Sequence, residues 1–327
     1  MIQTDSPNRL GIFSPTAPLI AALLGVWLLT AAGGADATGT AYRLTDQGDS
    51  VIGRAFYLKS RHEDTLLDIA RHNGLGYDDM KYANPNLDIW VPGEGTDVLV
   101  PTLFVLPNAP RRGIVLNLAE KRLYYYPPDG QQVVTYAISI GREGWDTPIG
   151  SFYITRKDKD PAWYPPASIH KERADEGRPP LPSVVPAGPD NPLGQHALRL
   201  SAQGYLIHGT NKPWGLGMEV SHGCIRMYPE NIAELFPQVS VKTPVTIVDQ
   251  PYKVGWRGND LYLEVHLTEG ENAKPVEQIV PPGVAQAQGV NVDWGEVERA
   301  VRENTGLPRV VGSRESVANP LYLDMIF

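Results

Sequence analysis

Residues 220–226 read V-S-H-G-C-I-R, and Cys224 at their centre is the only cysteine in a chain of 327 residues. A single thiol can make no internal disulfide, so it is a buried apolar filler, a metal ligand, a redox thiol or a nucleophile. Its neighbours His222, Gly223 and Arg226 are polar or flexible, a poor setting for a filler. A zinc site needs several ligands at recognisable spacing. His196, His208 and His222 are available, but no C-x-x-C or H-x-x-x-H pattern accompanies them, so no metal or other cofactor is expected. A redox thiol would need a resolving partner. Nucleophilic catalysis remains.

A cysteine attacks as its thiolate, and at an unperturbed pKa near 8.5 only about 3% is ionised at pH 7. Full ionisation takes help on the order of 2 kcal/mol, which an imidazole supplies by accepting the proton or by pairing with the anion as imidazolium. Two histidines qualify. His208 ends the apolar stretch Y-L-I-H before Gly209, and a strand end holds a base rigidly. His222 lies two residues from Cys224, and in extended chain such residues face the same way. Gly223, without a Cβ, permits a sharp turn in which its amide and that of Cys224 face a developing oxyanion. Arg226 is placed to take a substrate carboxylate in bidentate fashion.

The chain around this motif is 42% hydrophobic and 20% charged, a globular balance with length for two domains. A formal net charge of -8 and the lack of any Lys/Arg block argue against a nucleic-acid partner. Arg9, the apolar run Ala17–Leu29 and the small residues Ala35-Asp36-Ala37 follow the order of a secretory signal, expected to be cleaved after Ala37. The run is shorter than the roughly 20 residues that cross a bilayer comfortably, which disfavours a retained membrane anchor. A free thiol is a liability in an oxidising compartment, so its retention in an exported protein favours a functional role.

Segment 38–106 carries E-D-T-L-L-D-I-A-R, which predicts a helix capped by Asp64 or Thr65 and stopped at Asn73-Gly74. A second short helix is expected over Tyr77–Ala83 and a strand over Asp97–Pro101. Pro107–Pro110 reads as a stiff linker to a separable unit. From Gly113 to Val248, short apolar runs broken by Gly/Pro turns predict a mostly β domain over 110–250. Within it, residues 157–196 hold nine prolines and no periodicity, as expected of a long functional loop over one face of the sheet. The extension 251–327 shows one plausible strand, Leu261–Leu267, and one amphipathic helix, Asp293–Asn304, and is expected to pack on the catalytic domain.

I-H-G-T at 207–210 followed by S-H-G-C-I-R at 221–226, with G-R-E-G-W-D-T-P-I-G at 141–150 and G-P-D-N-P-L-G at 188–194, resembles the L,D-transpeptidase (YkuD-type) catalytic domain. The stretches E-D-T-L-L-D-I-A-R, N-P-N and V-L-V-P resemble a LysM module over about residues 55–102. These resemblances imply a β-sandwich catalytic domain with a long Pro-rich loop, preceded by a small α+β module, in a protein of the Gram-negative periplasm. They imply that Cys224 attacks the amide after the diaminopimelate residue of a peptidoglycan tetrapeptide stem, releasing D-alanine and passing the acyl group to an amine. His208 is the implied acid/base, with a carbonyl near Gly209 orienting it, and Ser221 and His222 supporting the site. Arg226 and Trp145 are the implied substrate contacts. Some relatives carry serine where this chain has His222, which ranks His222 behind His208. Trp163 and Tyr164 are candidates for a lid. The implied partners are peptidoglycan, its glycan bound by the LysM-like module, and an acceptor that is a second diaminopimelate, an outer-membrane lipoprotein lysine or water. A non-catalytic wall-binding protein is the reading of a different class.

Overall fold

The runs I-V-L-N from Ile114 and R-L-Y-Y-Y from Arg122 hold large side chains at successive positions, and strands of that kind are covered on both faces. In the computed structural model, which describes residues 39–45, 48–142, 144–268 and 270–315, they form an antiparallel pair, β1 (Gly113–Asn117) and β2 (Arg122–Tyr126). The chain continues as β3 (Gln132–Gly141), β4 (Gly150–Lys159), α1 (Ala167–Asp175), β5 (His196–Leu200), β6 (Leu206–His208), β7 (Glu219–Ser221), β8 (Ile225–Met227), α2 (Pro229–Gln238) and β9 (Pro244–Val248). The expected signal sequence, residues 1–37, lies outside the described residues. Among the described residues no helix is long and apolar enough to cross a membrane.

The strands form a sandwich whose two halves share their long strands. β9, β1 and β2 make one half with the first parts of β3 and β4; β5, β6 and β8 make the other with the second parts. Because β3 and β4 each pair on both sides, the ladder β1-β2-β3-β8-β6-β5-β4-β9-β1 closes on itself. Ile114, Leu116, Leu123, Tyr125, Ile138, Ile154, Ile207 and Ile225 fill the space between the halves, and Ile232 and Leu235 of α2 join them.

The outer faces of β1 and β2 carry a second core. Val115, Tyr124 and Tyr126 pack with Leu66, Ile69, Met80, Val98 and Phe104 of the N-terminal segment. The two helices anticipated there are present. Leu66–His72 is capped by Thr65, whose hydroxyl accepts the Asp68 N–H at 3.0 Å while the Asp68 carboxylate accepts the Thr65 N–H. Tyr77–Ala83 follows, and the strand Asp97–Val100 pairs with Phe56–Lys59. At this seam Arg122, with its side chain 1% exposed, pairs with Asp79 at 2.8 Å and lies over the Phe104 ring. The separable unit expected beyond Pro107–Pro110 therefore does not hold: the segment and the catalytic domain share a hydrophobic core.

The extension packs on the catalytic domain, and on the N-terminal segment as well. Tyr252–Arg257, Asp260–Val265, Arg309–Arg314 and Val290–Val292 form a sheet under the helix Trp294–Glu303, which Asp293 caps and Asn304 ends in a left-handed conformation. Lys253 from this sheet is fully buried. Its ammonium contacts Glu120 at 2.6 Å, Glu264 at 2.9 Å and the Val105 carbonyl at 2.6 Å, tying extension, catalytic domain and N-terminal segment together.

Candidate active site

The register of β6 against β8 builds the site. These parallel strands pair Ile207 with Ile225 and His208 with Arg226. Strand side chains alternate faces, so with both isoleucines in the core, His208, Arg226 and Cys224 turn to the opposite side. There, with Leu206, they line a cavity of about 700 Å³ roofed by the proline-rich segment.

The turn before Cys224 depends on glycine. Gly223 has φ +91, and a Cβ on it would stand 3.0 Å from the Tyr205 ring. Ser221 Oγ donates to the Cys224 carbonyl at 2.5 Å, closing the turn from inside. Thr147 Oγ1 donates to the Gly223 carbonyl at 3.0 Å and accepts the Gly141 N–H at 3.2 Å, fastening the turn to the end of β3. Thr147 was not singled out in the sequence; it lies in the G-W-D-T-P-I-G stretch that carries part of the family resemblance.

His208 is buried, and its Nδ1 donates to the carbonyl of Gly209 at 2.6 Å, which supplies the orienting group expected near that glycine. Nε2 is left as the basic atom. Burial, and then the charge of Arg226, lower the imidazole pKa to about 4. Burial raises the Cys224 thiol, opposed by the Leu206 N–H and by Arg226 and Arg199. Both shifts favour the neutral forms, thiol and imidazole. Arg226 has no carboxylate partner among the described residues, so its charge faces the cavity.

His222 takes a different place from the one its spacing suggests. The bend at Gly223 breaks the extended geometry, and His222 Nε2 donates instead to Glu172 at 2.6 Å. Arg142 pairs with the same carboxylate, and the Trp145 ring stands edge-on to the imidazole at 4.7 Å. Trp145 therefore backs His222 and is absent from the cavity lining. His196, weighed as a ligand, packs on Phe236 outside the cavity.

The proline-rich segment begins only after β4, which runs on to Lys159, and it is not structureless: it contains α1. That helix carries one large apolar residue, Ile169, and buries none, so it leaves no apolar stripe in the sequence. Trp163 and Tyr164 line the cavity, and Trp163 exchanges backbone hydrogen bonds with Val185. Asn191, fully buried, donates to the carbonyls of Pro161 and Pro186 and accepts the Leu193 N–H. The Leu193 carbonyl in turn faces the His208 ring.

The L,D-transpeptidase catalytic domain, YkuD, matches residues 111–247. The Escherichia coli (strain K12) protein named "Probable L,D-transpeptidase YcfS" is 41% identical over 274 residues, 82% of this chain and 85% of that protein. "Probable L,D-transpeptidase ErfK/SrfK" of the same organism is 37% identical over 283 residues, 83% of this chain and 91% of that protein. With likeness of that extent on both chains, and a cysteine–histidine cavity inside the matched domain, this chain belongs to the L,D-transpeptidase family.

Proposed function

We propose that the protein is a periplasmic peptidoglycan L,D-transpeptidase working through a Cys224 acyl-enzyme. The observation that carries this reading is the common wall occupied by Cys224 and His208, with His208 Nδ1 committed to Gly209. As Cys224 Sγ attacks the carbonyl of the third stem residue, Nε2 of His208 takes the thiol proton. The tetrahedral oxyanion faces the amides of Gly223 and Cys224, presented by the turn that Ser221 and Thr147 hold. Collapse breaks the amide bond, and His208 returns the proton to the departing D-alanine amine. An incoming amine then attacks the thioester, restoring the thiol. Arg226 binds a substrate carboxylate at the cavity floor.

The export signal, cleaved after Ala37, and glycan binding by residues 55–102 complete the reading. An amine acceptor gives a 3–3 cross-link or a lipoprotein attachment; water gives a carboxypeptidase. Mass spectrometry of purified sacculi incubated with the mature protein distinguishes these products. Wild-type protein is expected to release D-alanine, and Cys224→Ala to release none. A folded, reduced wild-type protein that changes no stem peptide, and whose thiol takes up no carbapenem, would leave the non-catalytic wall-binding reading.

A further inference from the structure

Helix α1 roofs the cavity yet has little to hold it there. It buries none of its residues, while Pro166, Ile169, Glu172 and Arg173 line the same cavity as Cys224. The base of the segment is firm, fixed by the Trp163–Val185 pair and by buried Asn191. Between helix and sheet, the side-chain hydrogen bonds among the described residues are those of Glu172. Its carboxylate pairs with Arg142 and accepts a hydrogen bond from His222. These two receptors are adjacent by construction. Arg142 follows directly on β3 and His222 on β7, and those strands pair Gly141 with Ser221.

We propose that Glu172 is the latch of a lid and so sets how firmly the site retains its peptide. The Arg142–Glu172–His222 contact holds α1 over a bound stem peptide, and its release opens the cavity. The proposal rests on the reading of the site as a stem-peptide acyltransferase. The contact reaches solvent on the Arg142 side, which is 39% exposed, while Glu172 is 17% exposed, so water can enter as the pair breaks and reforms during turnover. A helix with no buried apolar residue adds little resistance to that opening. The latch also accounts for His222, whose Nε2 is spent on the lid and not on the thiol.

The test uses the full mature protein and its Glu172→Ala, Arg142→Ala and doubly substituted forms. Steady-state kinetics on a tetrapeptide muropeptide should show KM raised about tenfold in each single variant, a shift worth about 1.4 kcal/mol, with kcat within about twofold of wild type. The double variant should be no worse than either single one, because both remove one contact. Independently, amide hydrogen exchange over residues 167–175 should be faster in Glu172→Ala than in wild type at unchanged global stability. Unchanged exchange there, multiplicative KM effects, or a fall in kcat at constant KM would each overturn the latch. A wild-type protein inert toward the muropeptide would refute the functional reading instead, and the exchange measurement would still decide the lid.

Discussion

At the scale of single residues, burial favours the neutral forms of both His208 and Cys224. His208, kept near pKa 4 by burial and Arg226, is unprotonated throughout the neutral range. Acylation of Cys224 by a carbapenem should therefore be nearly flat between pH 6 and 8 and should fall as the pH approaches 4. Intact-mass measurement of adduct formation against time checks this; a rate that titrates near pH 6.5 would show an unshifted base. The linkage has the same origin. The unfolded imidazole binds a proton below its ordinary value of 6.5, whereas the folded one does not until about 4. The native state consequently loses stability as the pH falls through that window. Gly223 is the other sensitive residue. Alanine there would meet the Tyr205 ring and a φ of +91, at a strain of about 1–3 kcal/mol. Gly223→Ala should retain the fold but slow acylation by one to two orders of magnitude, on the order of the loss of an oxyanion donor.

Among the elements, those with a strong local pattern were legible and those without one were not. The Leu66–His72 helix announces itself by its Thr65 cap and apolar face, and the Trp294–Glu303 helix by Asp293 and its amphipathic spacing. α1 gave no such signal because it buries none of its residues and carries a single large apolar one, Ile169. The proline-rich segment is shaped instead by the Trp163–Val185 backbone pair and by the buried side chain of Asn191. Replacing Asn191 by alanine leaves the buried Pro161 carbonyl without its donor and the buried Leu193 N–H without its acceptor, at about 1–3 kcal/mol for each group left unsatisfied. Asn191→Ala should accordingly be cut faster within residues 160–190 by a broad-specificity protease and should acylate more slowly, since Leu193 is no longer held beside His208. Equal cleavage rates in the two proteins would show that the loop is anchored elsewhere.

For the whole molecule, the decisive feature is that three segments share buried surfaces. Lys253 lies between Glu120 and Glu264 with its side chain fully inaccessible. Lys253→Met should lower stability by about 3–5 kcal/mol, because buried Glu120 loses its ammonium partner and Glu264 keeps only His266 and the Val105 N–H. The urea midpoint should move with the slope nearly unchanged. Deleting residues 38–106 would bare Val115, Tyr124, Tyr126 and the Arg122 charge. The truncated protein is expected to aggregate on expression instead of yielding a catalytic domain. A soluble, cooperatively unfolding truncation that still takes up a carbapenem would refute the shared core.

The sequence by itself determined the family and the residues proposed as nucleophile and base. These are written in contiguous words such as S-H-G-C-I-R and I-H-G-T, where chemistry and turn geometry both lie within a few residues. It also determined most strands, since apolar runs between Gly/Pro turns depend only on neighbours in the chain. Tertiary structure alone decided the rest: the pairing of His222 with Glu172, of Lys253 with Glu120 and of Arg122 with Asp79, and which segment covers the outer faces of β1 and β2. Each joins residues tens or hundreds of positions apart. Local propensity carries no information about such partners, and only the folded chain brings them within reach.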